Sequence, residues 1–89
     1  MTVEEVNDYA EVNGEEILMF SNPDFPNSIV GISTDDRVIY DYDLMVQDLI
    51  QTENMSEIEA IEFIDYNTIR SLSYYDKAPI VLQIKQFSK

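Results

Sequence analysis

Of the 18 acidic residues in this 89-residue chain, seventeen lie in the first 65 positions, where Arg37 is the only cation. Residues 66–89 reverse the balance, with Arg70, Lys77, Lys85 and Lys89 set against Asp76 alone. The two stretches carry −16 and +3, giving the net charge of −13. So much charge of one sign in a small domain repels itself and works against compaction. The excess asks for a reason outside the chain, and a basic partner is the sharpest candidate.

The chain nonetheless has the means to fold. Its length suits a single small acidic domain, residues 1–89, and a hydrophobic content of 45 % supplies one core, which argues against wholesale disorder. Cysteine is absent, so there is neither a disulfide nor a thiolate ligand, as expected of a cytoplasmic protein. Met1–Asn7 is polar and acidic, unlike a signal peptide, and the longest apolar run, Ile17–Phe20, is far too short to cross a membrane. A pI near 4.1 predicts repulsion from nucleic acid and from anionic lipid alike. Direct nucleic-acid and membrane binding are therefore not expected.

Turn chemistry organises the first half. Asn13-Gly14, between Tyr9–Val12 and Glu15–Phe20, has the residues of a type I′ turn and predicts a β-hairpin. A competing reading begins at Thr2-Val3-Glu4-Glu5, which matches a helix capping box, with Val3, Val6 and Tyr9/Ala10 at helical spacing. The turn dipeptide favours the hairpin. Ser21–Asn27, with two prolines and two asparagines, reads as a loop. Ser28–Thr34 and Arg37–Tyr40 are β-branched runs around Asp35-Asp36 and predict a second hairpin.

Helical periodicity follows. Asp41-Tyr42-Asp43 offers an N-cap, and Tyr42, Met45, Val46, Leu49 and Ile50 make one apolar face. Ser56-Glu57-Ile58-Glu59 is a capping box that opens a second helix, with Glu57, Glu59 and Glu62 early and Arg70 near its end. Its expected inner face is Ile58, Ile61, Ile64, Ile69 and Leu72, widened by Phe63. Thr52–Met55 is short enough to make the two helices an antiparallel pair. Pro79 restarts the chain, and Ile80–Ile84 reads as a buried last strand. The fold class expected is α+β: a mostly antiparallel sheet of about five strands, from two N-terminal hairpins and a C-terminal strand, covered on one face by a helical hairpin.

Chemistry is scarce. Without histidine or cysteine, the familiar catalytic triads and zinc sites cannot be assembled. Asp41 and Asp43 could ligate a hard cation, yet that stretch lacks the glycine and terminal glutamate of an EF-hand, and capping explains the same residues. A two-carboxylate hydrolase needs a substrate cleft between its acids, for which so small a core leaves little volume. The chain reads as non-enzymatic, with no cofactor and no metal.

The densest polar cluster is Asp65–Arg70. On a regular helix Glu62, Tyr66 and Arg70 share a face, so Arg70 would be held by the residues preceding it. The candidate partner-binding residues are Glu57, Glu59, Glu62, Tyr66, Asn67 and Arg70. A plainer account has Asn67 and Thr68 satisfy backbone groups and Arg70 complement the helix dipole. Six tyrosines are many for this length. Most are expected to fill the core while their hydroxyls reach solvent.

Asp36–Asp43, Met45-Val46, Met55-Ser56, Glu59–Arg70, Tyr74 and Pro79-Ile80 together carry a resemblance. The most distinctive part is Tyr66-Asn67-Thr68-Ile69-Arg70 followed by Tyr74 and Pro79-Ile80. Over residues 36–80 the chain resembles small acidic uncharacterised proteins of prophages and mobile elements of Gram-positive bacteria. The resemblance implies a bacterial or phage cytosolic setting and assigns no activity to any residue. Mobile elements often encode small antagonists of nucleases. The expected function is therefore a non-enzymatic protein-interaction module, most testably an acidic inhibitor that imitates nucleic-acid charge before a basic host or defence protein. The alternative is an ordinary adaptor or homodimer, paired through sheet edges, whose acidity is incidental.

Overall fold

The computed structural model describes residues 1–83. Thr2 caps helix α1 (Val3–Asn13): its hydroxyl accepts from the Glu5 amide at 3.1 Å, and the Glu5 carboxylate accepts from the Thr2 amide at 2.9 Å. Gly14 ends the helix in the left-handed region (φ 64°), its N–H turned back to the last carbonyls. The expected first hairpin is therefore replaced by a helix. Asn13-Gly14 stops α1, because the positive φ that suits a hairpin turn equally suits a helix C-terminus. Residues 15–28 then run without regular secondary structure.

The second hairpin forms where the sequence places it. Strands β1 (Ile29–Ile32) and β2 (Val38–Asp41) pair antiparallel, with a bulge at Val30, since Ile29 faces Tyr40 while Gly31 faces Ile39. Arg37, the sole cation before residue 66, is consumed locally. Its Nε donates to the Ala78 carbonyl at 2.7 Å, and its guanidinium lies 3.9 Å from Asp35.

Asp41 caps helix α2 (Tyr42–Glu53), accepting from the Leu44 amide at 3.0 Å. The predicted face is the buried one: Met45 and Leu49 are fully enclosed, and each such side chain contributes about 1.5–3 kcal/mol through burial. Asn54, in the left-handed region, ends α2. Ser56 opens α3 (Glu57–Phe63) with the expected capping box. The helix then widens into a π-helical stretch, Ile64–Ile69, and tightens to a 3₁₀ turn at Leu72–Tyr74. Tyr42 at the start of α2 meets Asp65 beyond the end of α3, so the two helices run antiparallel as expected.

Strand β3 (Ile80–Leu82) joins β2 in parallel, giving the order β1-β2-β3. The architecture is α+β, but among the described residues the sheet has three strands and is mixed. The five-strand antiparallel sheet is not formed, because residues 3–13 are helix and the last strand returns parallel after the helical crossover. Ile84, assigned to that strand by sequence, lies outside the described residues.

Val6, Phe25, Val38, Tyr40, Met45, Leu49, Ala60 and Ile64 meet in one core. Phe25 reaches it from the loop with φ 47°, a conformation that costs a bulky residue about 1–3 kcal/mol. Its ring packs edge-on against Phe20 at 5.7 Å, and Phe20 in turn lies 4.6 Å from Tyr40. Burial of that aromatic column holds the strained loop in place.

Candidate functional site

The candidate residues lie on α3 and its π-helical extension. The inner face agrees with the expected one at Ile64, with Ile61, Phe63 and Ile69 packed partly against the core, but Ile58 is 69 % exposed, and Ala60 and Thr68 point inward where the sequence had not placed them. Ile58 is the second residue of α3, in its first turn. The small Ala60 lets the helices approach, and the repeat Ala60–Ile64–Thr68 at intervals of four was the signal available in the sequence.

That rotation sets the outer face. Glu57, Glu59, Glu62, Tyr66, Asn67 and Arg70 are all exposed. Glu59, Glu62, Tyr66 and Asn67 come together around a shallow depression floored by Met55 and Phe63. Glu57 and Arg70 stand outside it. Arg70 lies over the Tyr66 ring at 4.9 Å, so a tyrosine face rather than Glu62 holds the guanidinium. The side-chain amide of Asn67 donates to the Phe63 carbonyl at 3.2 Å, and the Ser71 hydroxyl donates to the Thr68 carbonyl at 2.8 Å. These bonds supply donors to carbonyls around the π turn, a geometry often found at functional sites.

The charges of this face are not neutralised from within. Among the described residues the one ion pair is Arg37–Asp35, at the far hairpin. The Glu59 carboxylate accepts from the Ser56 amide at 3.0 Å, and this bond, with the Ser56 side chain beside it, holds its carboxyl below the ordinary glutamate value and keeps it anionic. Asp65 is exposed and receives the Tyr42 hydroxyl. Burial, then that hydrogen bond and the charges of Asp65 and Asp43, push the Tyr42 hydroxyl up to about 12. Asp41 spends its carboxylate on the α2 cap, the role that competed with metal ligation in the sequence.

The tyrosines divide evenly rather than lying mostly in the core. Tyr40 and Tyr42 are buried and Tyr9 half-buried, whereas Tyr66, Tyr74 and Tyr75 are exposed. The inner hydroxyls also find protein partners instead of solvent: Tyr40 accepts from the Phe20 amide, and Tyr9 donates to Asp36 at 2.7 Å.

Sequence reasoning missed Asp48. It is 3 % exposed and lies on α2 beside the apolar face. Its carboxylate accepts from the Asn27 amide at 3.1 Å, the Asn27 side chain at 2.8 Å and the Ser28 hydroxyl at 2.7 Å. Asp48 therefore fastens the loop that carries Phe25. One acid among 18 could be distinguished only by its place next to Leu49 in the helical repeat.

No protein-family model matches the chain, and neither the curated proteins nor the solved structures contain a match to it.

Proposed function

We propose that this chain is a non-enzymatic protein-interaction module whose α3 face binds a basic protein surface, most testably as an inhibitor that imitates nucleic-acid charge. The observation that supports it is the exposed acidity of α3: Glu59 and Glu62 flank the exposed ring of Tyr66 with no ion pair among the described residues, and Glu57 is exposed on another side of the same short helix. Tyrosine beside carboxylate adds contact area to charge. The resemblance to phage-encoded acidic proteins favours a nuclease or another nucleic-acid-binding protein as the target.

Capture from a Gram-positive lysate, eluted along a salt gradient, tests this. The expected result is a basic nucleic-acid-binding protein that elutes at moderate salt, is displaced by duplex DNA and is lost when Glu57, Glu59 and Glu62 are reversed to lysine. A partner that resists high salt and ignores the reversal overturns the proposal. A second reading, the homodimer, is favoured by one feature: β1 is an edge strand, with Val30 at 48 % exposure. Sedimentation across a range of concentrations separates the two.

A further inference from the structure

A cleft runs between the irregular stretch 16–23 and the helical stretch 63–75. Two hollows of about 170 and 160 Å³ lie side by side in it and share Phe20, Ser21 and Ser71 as walls. Each is about the size of an apolar cavity of ~150 Å³ that admits a benzene ring. Leu18, Leu72 and Pro79 supply the apolar wall of the first and Pro23, Phe25 and Phe63 that of the second, where Asn22, Asn67 and Thr68 add polar groups.

The ends of the cleft differ in charge. Past the second hollow, Phe63 and Asn67 are shared with the depression that holds Glu59 and Glu62, and no cation lines that depression. Past the first, Leu18 and Tyr75 lead to Glu16 and Asp76, where Lys77 offsets part of the charge. Hollows walled partly by apolar side chains thus adjoin an acidic end, where Arg70 over the Tyr66 ring is the one cation at its margin among the described residues.

We propose that the cleft receives an extended segment of the partner protein, with basic side chains against Glu59 and Glu62 and one apolar side chain in each hollow. This rests on the reading of the α3 face as a site for a basic partner, and it states which part of that partner is bound. Charge at the acidic end draws the segment in, and the buried anchors set how long it stays. A purely electrostatic mimic would need no such hollows.

Selection of a random eight-residue peptide display library against the intact chain tests the proposal. Expected are peptides with Lys or Arg at one end and aliphatic or aromatic residues following. Their affinity should fall at least tenfold in Ser21→Trp, which fills both hollows from the exposed loop, and in the second variant Ser71→Phe. Unchanged circular dichroism must accompany each loss. Glu59→Gln with Glu62→Gln should weaken binding several-fold, more at low salt than at high. Peptides that are basic alone and bind Ser21→Trp and Ser71→Phe undiminished overturn the cleft while leaving the charged face intact. Apolar peptides indifferent to the two glutamine variants overturn the basic half of the proposal and count against the charged face as well. A selection that enriches nothing overturns the cleft, with the salt-graded capture still deciding the face.

Discussion

The hydroxyl of Tyr42 donates to Asp65 Oδ1 at 2.9 Å, joining the first residue of α2 to the second residue of the π-helical stretch. Twenty-three positions separate them in the chain. The bond fixes how α3 and its extension lie on α2, and hence where Tyr66 and Asn67 project.

Tyr42 titrates near 12 in the folded chain, above the ordinary tyrosine value of 10. A raised folded value means that the folded state holds its proton more tightly. The associated stability is fully present below pH 10 and is lost as pH rises toward 12. Tyr9 and Tyr40 are raised as well, the former chiefly by its bond to Asp36 and the latter by burial. Urea melts should show a steep alkaline loss of stability above pH 10. Tyr42→Phe should be weaker at neutral pH and shallower in that alkaline limb; an unchanged limb would contradict the assignment.

Asp48→Asn keeps the shape of the side chain but replaces one acceptor with a donor that faces the Asn27 amides. A buried polar group left unsatisfied costs about 1–3 kcal/mol. For a domain of this size that lowers the melting temperature by about 4–8 °C per kcal/mol. Calorimetry of Asp48→Asn beside Glu62→Gln, a change on the exposed face, should show a large shift for the first and almost none for the second.

The two glycines should respond oppositely. A methyl group at either meets nothing within 4 Å, so sterics with neighbours do not distinguish them. Gly14, at φ 64°, sits where an L-residue is strained, and Gly14→Ala should cost about 1–2 kcal/mol, with Gly14→Asn milder. Gly31→Ala in β1 should be neutral or slightly stabilising. Chemical denaturation of the three variants checks the order.

Ser56→Ala removes the cap of α3 and should cost about 1 kcal/mol. Glu59, its reciprocal partner, has a folded value lowered chiefly by the bond from the Ser56 amide. A lowered value gives stability that is present above the unfolded value of 4.5 and is lost as pH falls. Glu5 at the α1 cap behaves likewise. Acid titration followed by circular dichroism should show helix loss beginning just below pH 4.5, and Glu59→Gln should flatten it.

Local signals were legible, and signals that depend on distant partners were not. The Asp35-Asp36 hairpin, the Asp41 cap, the α2 face and the Ser56 capping box each rest on a few adjacent residues, and each forms as read. Asn13-Gly14 went the other way because one dipeptide serves two structures, and the capping box eleven residues earlier decided between them. The strand partner of β2 could not be read, since Ile80–Leu82 carries no mark of its direction. On α3 the exposed acids were correctly placed outward, whereas Ile58 and the π turn depended on contact with α2. Asp48 was invisible because its donors, Asn27 and Ser28, come from a loop twenty positions away.

The parallel pairing of Ile39 with Ile80 has a kinetic consequence. Those strands cannot meet until the whole helical crossover between them has been brought together, and such non-local closure is slow. The hairpin and helices can form early from local contacts, while β3 docks last. During synthesis, the outer edge of β2 therefore stays open until Leu82 has left the ribosome, and this interval is when the nascent chain is most exposed to mispairing.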